Sequence, residues 1–405
     1  MSGAGVLVTG LGVLSSIGHD VPSFTDAMRA GRSGIRPAGA TFAARLVGFD
    51  AAEELAKLSI PLGRGALGVA RRAPWPVQIA VLTAVQAWCD AGLPDRRIDP
   101  TRIGLVVAGS NLTACQAERT RRTFARDPRF VPPRAALHAL DSDHVGVLSH
   151  VLGIQGVGHT VGAASASGGV AIDTAARLLA TGAVDVCLVL GAVAELTEPD
   201  RAALTNLGVL ATTDSTLPGP PFDRGHRGMV PGEGCACLVL ESASLRGPGV
   251  AVLAGHSVAL DGNSQADPSV EGERRAMAGA LDMAGVAPAE LSYVNTHGTG
   301  SELGDRTELA ALRAVLGDAA RNPVLNATKA LTGHCLGAAG VVEAVATVIQ
   351  LRGGFAHPNP GLTDPIEPGW RFAGAECVLA RPRVALSNSF GFGGFNASAV
   401  FREPR

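Results

Sequence analysis

The segment Val161-Gly-Ala-Ala-Ser-Ala-Ser-Gly-Gly169 links a Gly-rich turn at 153–158 to an apolar run that predicts a helix over 165–181. Ser165 lies where this helix begins. A hydroxyl there meets unpaired backbone N–H groups and the positive end of the helix dipole, which favour developing negative charge. Two interpretations follow: a nucleophile or oxyanion site, or a capping serine, because Ser is a preferred N-cap residue. Ser167 competes for either role.

Short apolar runs alternate with helical stretches on either side of this segment. In the first half, the predicted strands cover 6–9, 103–108, 184–190 and 235–240, and the predicted helices cover 76–91 and 165–181. The strands are almost continuously apolar, which is typical of strands buried on both faces. Helices that cover both faces of buried strands predict a layered α/β fold.

The same alternation returns near Gly247-Pro-Gly249. Strands are predicted at 250–254, 291–295, 324–327, 383–387 and 397–401, and helices at 272–284, 307–316 and 338–352. The similar element order predicts two halves, 1–248 and 249–405, and indicates a duplicated unit. Residues 127–143 are rich in Pro and Arg and irregular, so we expect a surface loop or cap there.

Composition excludes several classes of function. A formal net charge of -2 argues against broad electrostatic capture of nucleic acid. Seven scattered cysteines predict free thiols in a reducing cytoplasm. Cys235 and Cys237 have no second Cys/His pair at zinc spacing, so we expect no metal site. We expect no membrane span, because no uninterrupted apolar run reaches about 18 residues. The N-terminus lacks the basic region of a signal peptide, so none is expected.

Two histidines and one loop have patterns typical of a site. His297 follows a predicted strand and precedes Gly298-Thr-Gly300, and sites gather at such strand ends. His334 precedes a small-residue helix start. Each histidine alone is equally compatible with a structural role. The loop Gly391-Phe-Gly-Gly394 offers accessible backbone N–H groups. Gly10-Leu-Gly12 does not complete a dinucleotide-binding pattern, so no nicotinamide cofactor is predicted.

Taken together, these segments resemble the β-ketoacyl synthases of the elongating, thiolase-fold type, over nearly the whole chain. The motifs that carry the resemblance are Val8-Thr-Gly-Leu-Gly-Val13, the Ser165 elbow, Pro221-Phe-Asp223, Gly232-Glu-Gly234, His297-Gly-Thr-Gly300, Lys329 through His334, Glu343 and Asn388-Ser-Phe-Gly-Phe-Gly-Gly394. The resemblance implies a thiolase-like α/β fold, with duplicated halves in a five-layer αβαβα arrangement.

The resemblance also implies a role for each matching residue. In the family, the elbow carries a cysteine that accepts the acyl chain, and two histidines activate decarboxylation of malonyl carrier protein. These roles correspond to Ser165, His297 and His334. The implied supporting residues are Lys329, Glu343 and Thr299. The implied gate comprises Phe390, Gly391, Phe392 and Gly393, and the implied oxyanion N–H groups are those of Ser165 and Phe392.

The departure from the family is Ser165 in place of cysteine. A thiolate forms readily, whereas a serine hydroxyl needs a dedicated base, so acyl loading should be slowed or lost. Decarboxylation does not need the sulfur. The chain therefore resembles the serine-variant ketosynthases of polyketide β-branching cassettes, which convert malonyl carrier protein to acetyl carrier protein.

Two alternative functions remain open in the sequence. Ser165 could be acylated with a histidine as base, giving an acyltransferase or a residual condensing enzyme. The chain could instead be a non-catalytic partner subunit like the chain-length factors, although the retained histidines and Lys329 argue against this. The resemblance implies an acyl carrier protein as partner, with the substrate on its phosphopantetheine and no further cofactor. It also implies a homodimer, and a heterodimer with another ketosynthase stays open.

Overall fold

The computed structural model describes residues 5–58, 65–213, 218–243, 249–263, 266–378 and 381–404. The first half contains β1 (Val6–Ser15), α1 (Val21–Arg29), β2 (Arg36–Ala38), β3 (Thr41–Ala43), α2 (Ala51–Lys57), α3 (Ala66–Ala70), α4 (Trp75–Asp90), β4 (Ile103–Ala108), α5 (Ala114–Arg126), α6 (Ala135–His138), α7 (Ser142–Leu152), β5 (Gly158–Val161), α8 (Ser167–Ala180), β6 (Val186–Gly191), α9 (Glu198–Asn206) and β7 (Gly234–Ser242).

The second half contains β8 (Ala251–Leu260), α10 (Val270–Ala284), β9 (Tyr293–Asn295), α11 (Glu302–Leu316), β10 (Val324–Asn326), α12 (Lys329–Thr332), α13 (Ala339–Gly353), β11 (Arg371–Phe372), β12 (Val384–Gly391) and β13 (Phe395–Arg402). The predicted boundary at 248 lies outside the described residues. The division into 1–248 and 249–405 therefore stays a prediction.

The two halves have the same strand order and the same strand directions. The first half runs β1-β7-β6-β4-β5 and the second runs β8-β13-β12-β9-β10, followed by the short edge strand β11. In each half the first two pairings are antiparallel and the next two are parallel. The half-sheets join edge to edge through β1 and β8. This correspondence confirms the predicted duplicated α/β halves.

The helices form three layers around the two half-sheets. Helices α8 and α13 touch each other and contact strands of both halves, so they lie in the middle. Helices α4 and α7 cover the other face of the first half-sheet, and α10 covers that of the second, with α11 beside it. Three large apolar clusters match these three layers. The arrangement is the predicted five-layer αβαβα fold.

Glycines let the two central helices meet at their N-termini. A methyl group on Gly168 of α8 would lie 2.6 Å from the backbone N of Val341 and 2.8 Å from Cα of Gly340, both in α13. A methyl group on Gly340 would lie 2.8 Å from the backbone N of Gly169. Because these are backbone atoms, a larger residue cannot be accommodated by moving a side chain. The crossing brings the segments that contain Ser165 and His334 together.

Among the described residues, one helical stretch, Leu336–Gly353, is long and apolar enough to cross a membrane by length and composition alone. It consists of α13 and the turn before it, and 78% of it is buried inside the protein. A helix that is apolar on all sides is expected between two sheets. Burial in the central layer therefore accounts for its composition.

Two local expectations were wrong or incomplete. Residues 127–143 are not simply irregular, because they include α6 and the start of α7. The strand β5 was not predicted, because its residues 158–160 are exposed and lack the continuous apolar character of the buried strands. The other predicted elements are present with shifted ends; for example, the strand predicted at 6–9 continues to Ser15 in β1.

Candidate active site

Ser165 lies in a turn before the first residue of α8, so it is not the helix cap. The N-cap position is Ala166, with no side-chain capping bond. The competing Ser167 is fully buried, donates a hydrogen bond to the carbonyl of Ala164 at 2.6 Å and accepts one from the backbone N–H of Ala163 at 2.8 Å. The half-buried Ser165 hydroxyl has no hydrogen-bond partner among the described residues. The structure therefore favours Ser165 over Ser167 as a reactive position.

The end of strand β12 connects Ser165 to the first histidine. A methyl group on Gly391 would lie 3.0 Å from the backbone N of Ser165 and 2.8 Å from the carbonyl O of Ala163. The ring of the preceding Phe390 lies 5.7 Å, centroid to centroid, from the ring of His297. Phe392, in the predicted gate, is 43% exposed. The β12 end therefore places the gate loop against both the elbow and His297.

His297 and His334 lie side by side, with ring centroids 5.6 Å apart and planes at 86°. His297 follows β9, and His334 follows α12 after Gly333, whose φ of +65° suits glycine. The backbone of His334 is fixed by the N–H of Gly232 and the carbonyl of Val230, at 2.9 and 2.6 Å. Two different loops therefore meet at one pair of imidazoles.

Hydrogen-bond partners define the tautomer of both rings. The backbone N–H of Leu336 donates to Nδ1 of His334 at 3.0 Å. The ammonium of Lys329, which has only donors, lies 3.3 Å from Nδ1 of His297. Since Nδ1 is the acceptor in each ring, the proton of each neutral ring is on Nε2. The pair therefore presents two Nε2–H donors.

Both imidazoles are neutral at physiological pH. Burial lowers the pKa of His297 well below 6.5, and the positive charge of Lys329 lowers it further, with a smaller contribution from His334. Burial and Lys329 lower the pKa of His334 in the same direction. Neutral rings keep the Nδ1 lone pairs available to their donors.

Lys329 forms a buried ion pair with Glu343. Their side chains are 3% and 2% exposed, and the ammonium contacts one carboxylate oxygen of Glu343 and the carbonyl O of His297. Burial raises the pKa of Glu343 to about 7, against the opposing effect of Lys329. The ion pair holds the ammonium against His297.

Two carboxylates of α11 hold the backbone of the His297 loop, and sequence reasoning missed both. Glu308 accepts from the N–H groups of His297 and Gly298 at 2.8 and 2.9 Å. Asp305 accepts from the N–H groups of Thr299 and Gly300 at 3.0 and 3.2 Å. Their spacing of three residues puts them on one helix face, which was the available signal.

Backbone geometry beside the site involves one predicted residue, Thr299, and two residues that were not predicted, Ala164 and Leu336. The hydroxyl of Thr299 accepts from the backbone N–H of Ser301 at 3.2 Å, so it stabilises the turn that follows His297. Ala164 and Leu336, with φ of +47° and +51°, have left-handed backbones beside Ser165 and His334. Such conformations are uncommon outside glycine and cluster at functional sites.

Within the residues that the structure describes, no group of three or more His, Cys, Asp or Glu side chains is arranged to hold a metal ion. The seven cysteines are all unpaired. What the site offers instead is a pair of fixed N–H donors in a buried setting. Donors of this kind stabilise an oxygen that becomes negatively charged during a reaction.

Comparisons with known proteins agree with this fold and site. The family models for the N-terminal and C-terminal domains of beta-ketoacyl synthase match residues 4–246 and 250–363. They define an enzyme of the ketosynthase class with a thiolase-like fold. The chain belongs to the β-ketoacyl synthase family, as its motifs predicted.

Two curated relatives match almost the whole chain. The polyketide biosynthesis malonyl-ACP decarboxylase PksF of Bacillus subtilis (strain 168) is 37% identical over 98% of this chain and 96% of its own length. The 3-oxoacyl-[acyl-carrier-protein] synthase 2 of Vibrio cholerae is 32% identical over 99% of this chain and 100% of its own length. Among solved structures, the ishigamide ketosynthase/chain length factor has a TM-score of 0.86 at 27% identity and full coverage of both chains.

Proposed function

We propose that this protein is a decarboxylase that converts malonyl carrier protein to acetyl carrier protein in polyketide biosynthesis. The observation that carries the proposal is the pair of Nε2–H donors on His297 and His334, beside a serine at position 165. The relative PksF, named as a malonyl-ACP decarboxylase, supports the same reaction. By resemblance to the serine variants, the acetyl group would serve β-branching.

The two donors account for the chemistry. The thioester oxygen of the malonyl group accepts hydrogen bonds from the Nε2–H groups of His297 and His334. The bond between the α-carbon and the carboxylate breaks, carbon dioxide leaves, and the electron pair forms an enolate with its charge on that oxygen. Each well-placed donor contributes about 3–4 kcal/mol to stabilising such a charge. A proton from solvent then adds to the α-carbon and gives the acetyl thioester.

The histidine tautomers argue against acylation of Ser165. A serine nucleophile needs a base that takes its proton. In both rings Nδ1 already accepts a hydrogen bond, and Nε2 already carries a proton. Neither ring has a free lone pair for Ser165, so the acyltransferase alternative lacks a base. The partner-subunit alternative does not explain why the complete donor pair is kept.

The remaining features of the proposal concern partners and location. The substrate would arrive on the phosphopantetheine of an acyl carrier protein, with Phe392 and its neighbours as the gate.

Strand β5 is an edge strand with exposed residues, which suits pairing with a second copy, and Phe130 and Leu137 nearby in the chain are exposed. A homodimer is therefore proposed, with a ketosynthase heterodimer as the alternative. The unpaired cysteines support a cytoplasmic location.

The test is to incubate the purified protein with malonyl carrier protein and follow the mass of the carrier-bound group. We expect conversion to acetyl, and Ser165→Ala should keep most of the rate. Carbon dioxide release no faster than without protein would contradict the proposal. A stable acyl group on Ser165 would favour the acyltransferase, and activity only after addition of another ketosynthase would favour the partner subunit.

A further inference from the structure

A buried polar network lies behind the active site, outside the residues that the proposed chemistry uses. It is formed by side chains that are all 0% exposed: Tyr293, Asn295, Asn326, Thr328, Gln350 and His357. Buried polar groups are costly unless they are hydrogen-bonded, and a connected network fixes the positions of its members. A fully buried polar network of this size therefore calls for a functional or structural explanation.

His357 lies at one end of the network and has a defined tautomer. Its Nδ1 lies 2.8 Å from the carbonyl O of Pro358, which can only accept, so Nδ1 carries the proton. Its Nε2 therefore has the lone pair and accepts from the hydroxyl of Thr328 at 3.1 Å. Burial lowers the pKa of His357 to about 4, so the ring is neutral. The ring acts as a fixed acceptor for Thr328.

Thr328 links His357 to Asn295, because its hydroxyl donates to one and accepts from the other. The hydroxyl of Thr328 donates its single proton to Nε2 of His357, so its oxygen accepts from Nδ2 of Asn295 at 3.0 Å. Thr328 directly precedes Lys329, and Asn295 lies two residues before His297. The hydrogen bonds from Asn295 through Thr328 to His357 therefore tie together the two chain segments that supply Lys329 and His297.

A second set of bonds holds the His357 segment itself. The side-chain oxygen of Gln350 accepts from the backbone N–H of His357 at 2.8 Å and from Nδ2 of Asn326 at 3.1 Å. Nδ2 of Asn326 also donates to the carbonyl O of His357 at 2.9 Å, and its Oδ1 accepts from the hydroxyl of Tyr293 at 2.6 Å. His357 is thus anchored to strands β9 and β10 and to helix α13, and its acceptor nitrogen cannot easily turn away.

We propose that His357 is a positioning residue for the decarboxylation, a role that rests on the proposed function. Through Thr328 and Asn295 it sets the separation between the Lys329 ammonium and the His297 ring. That separation keeps Nδ1 of His297 occupied and its proton on Nε2. His357 acts only through these residues and does not face the substrate.

The kinetic test removes either end of the Thr328–His357 bond. Thr328→Val deletes the hydroxyl at nearly constant volume, and His357→Leu deletes the acceptor. In each variant we expect kcat to fall about 10- to 100-fold with KM for malonyl carrier protein unchanged, because a small displacement of a catalytic group costs this much. The conservative variants Thr328→Ser and His357→Gln, which keep a hydroxyl and an acceptor, should recover most of kcat. If one disruptive variant does not fold, the other carries the test.

Thr83→Val is the matched control for loss of a buried hydroxyl. Thr83 is also 0% exposed, but its hydroxyl donates to the carbonyl of Ile79 inside α4, in the other half of the protein. We expect this variant to lower Tm and leave kcat unchanged. If Thr328→Val and His357→Leu also lowered Tm without lowering kcat, the network would be only structural and the proposal would be overturned.

A titration of the His297 ring by NMR gives a readout that does not depend on turnover. The charged or titratable groups around this ring are Lys329, His334, Glu308 and, through Lys329, Glu343. Displacing the ammonium removes its repulsion of the imidazolium, so the pKa of His297 should rise in Thr328→Val and stay low in Thr328→Ser. An unchanged titration would overturn the proposal. Absence of decarboxylation by the wild-type protein would contradict the proposed function alone, because the titration would still test the network.

Discussion

The backbone N–H of Leu336 donates to Nδ1 of His334 at 3.0 Å, and Leu336 has a left-handed backbone with φ of +51°. A non-glycine residue is strained in this conformation, so the surrounding structure must hold it there. The strain has a consequence for the chemistry, because the bond keeps the proton of His334 on Nε2. The donor that the proposed function requires is thereby fixed before substrate binds.

Removal of that donor should nearly abolish decarboxylation. His334→Ala should lower kcat for acetyl formation about 10²- to 10³-fold, the usual effect of losing one oxyanion donor. His334→Gln should lose less, because its amide N–H can reach a position near the original Nε2. Quenched reactions analysed by the mass of the carrier-bound group measure both rates. Equal losses in the two variants would show that the N–H donor is not what matters.

The neutral histidines set the pH dependence of the reaction. The pKa values of His297 and His334 lie well below 6.5, so both rings keep the required tautomer as the pH falls from 8 to 6.5. The wild type also carries the titration of Glu343, whose pKa is about 7, so the histidines are tested in Glu343→Gln, which cannot ionise at this position. In that variant we expect kcat to be level over that range and to fall only at lower pH, where the rings take up protons. A pH–rate profile on malonyl carrier protein checks this. An acid limb centred above 6.5 in Glu343→Gln would contradict the burial argument.

The layered fold could be predicted because its signals are local. Strands β4, β6 and β7 are buried on both faces, so each appears in the sequence as an uninterrupted apolar run. Helix α5 and strand β5 were not predicted, because α5 has no buried residue and β5 is mostly exposed. Helices α1 and α7 were also missed, although both bury apolar side chains. Apolar periodicity cannot identify elements that do not contribute to the core.

The site was only partly predictable for a different reason. His297, His334 and Lys329 lie in recognisable motifs, and the structure brings them together. Glu308 and His357 lie outside the quoted motifs, and their function depends on contacts across the chain. The hydrogen bond from Thr328 to His357 joins residues that are 29 positions apart in the sequence, and no local sequence pattern indicates such a pair. Sequence identified the residues proposed to do the chemistry more readily than those proposed to orient them.

Lys329→Met should destabilise the protein, and the loss should grow with pH. Removing one partner of a buried ion pair costs about 3–5 kcal/mol while the other stays charged. The pKa of Glu343, about 7 beside the lysine, should rise further once the ammonium is gone. A raised pKa means that Glu343 keeps its proton in the folded protein at a pH where it would lose it in the unfolded chain. The contribution of Glu343 to stability is therefore present at low pH and is lost as the pH rises through the folded pKa.

Urea unfolding of the wild type and of Lys329→Met at pH 7 and pH 9 measures this effect. The difference in the free energy of unfolding between the two proteins should be larger at pH 9. The double variant Lys329→Met/Glu343→Gln is the control, because glutamine cannot ionise, and its deficit should not grow. A deficit in Lys329→Met that is equal at both pH values would contradict the raised pKa of Glu343.

Gly168→Ala should weaken both the fold and the site. The added methyl group would lie 2.6 Å from the backbone N of Val341, so α8 and α13 must separate. Overpacking of this kind typically costs about 1–3 kcal/mol. The separation should also reduce decarboxylation, because Ser165 and His334 lie beside this crossing. Urea unfolding and the acetyl assay measure the two effects.

The matched control for this prediction is Gly146→Ala. Gly146 is a helical glycine in α7 with nothing within 4 Å of the added methyl group. Alanine there should raise the free energy of unfolding by about 0.5–1 kcal/mol, because it lowers the entropy of the unfolded chain. Comparable losses in both variants would indicate that the helix crossing at Gly168 is not tight.

His144→Leu should make the protein less sensitive to acid. His144 is fully buried in α7, and burial lowers its pKa from 6.5 to about 4, against a smaller opposing effect of the backbone of Asp141. Between pH 6.5 and about 4, His144 therefore binds a proton in the unfolded chain but stays neutral in the folded protein. For a lowered histidine pKa, stability is present above 6.5 and is lost as the pH falls toward 4.

Between pH 7.5 and pH 5, the fall in the free energy of unfolding should be about 2 kcal/mol smaller in His144→Leu than in the wild type. Leucine also removes the cost of burying the polar imidazole nitrogens, so the variant should be at least as stable at neutral pH. His150→Leu is the control on the same helix, because His150 is exposed. If the acid sensitivity of His144→Leu equalled that of the wild type, the ring of His144 would have to gain a proton without unfolding, and its burial would not govern acid stability.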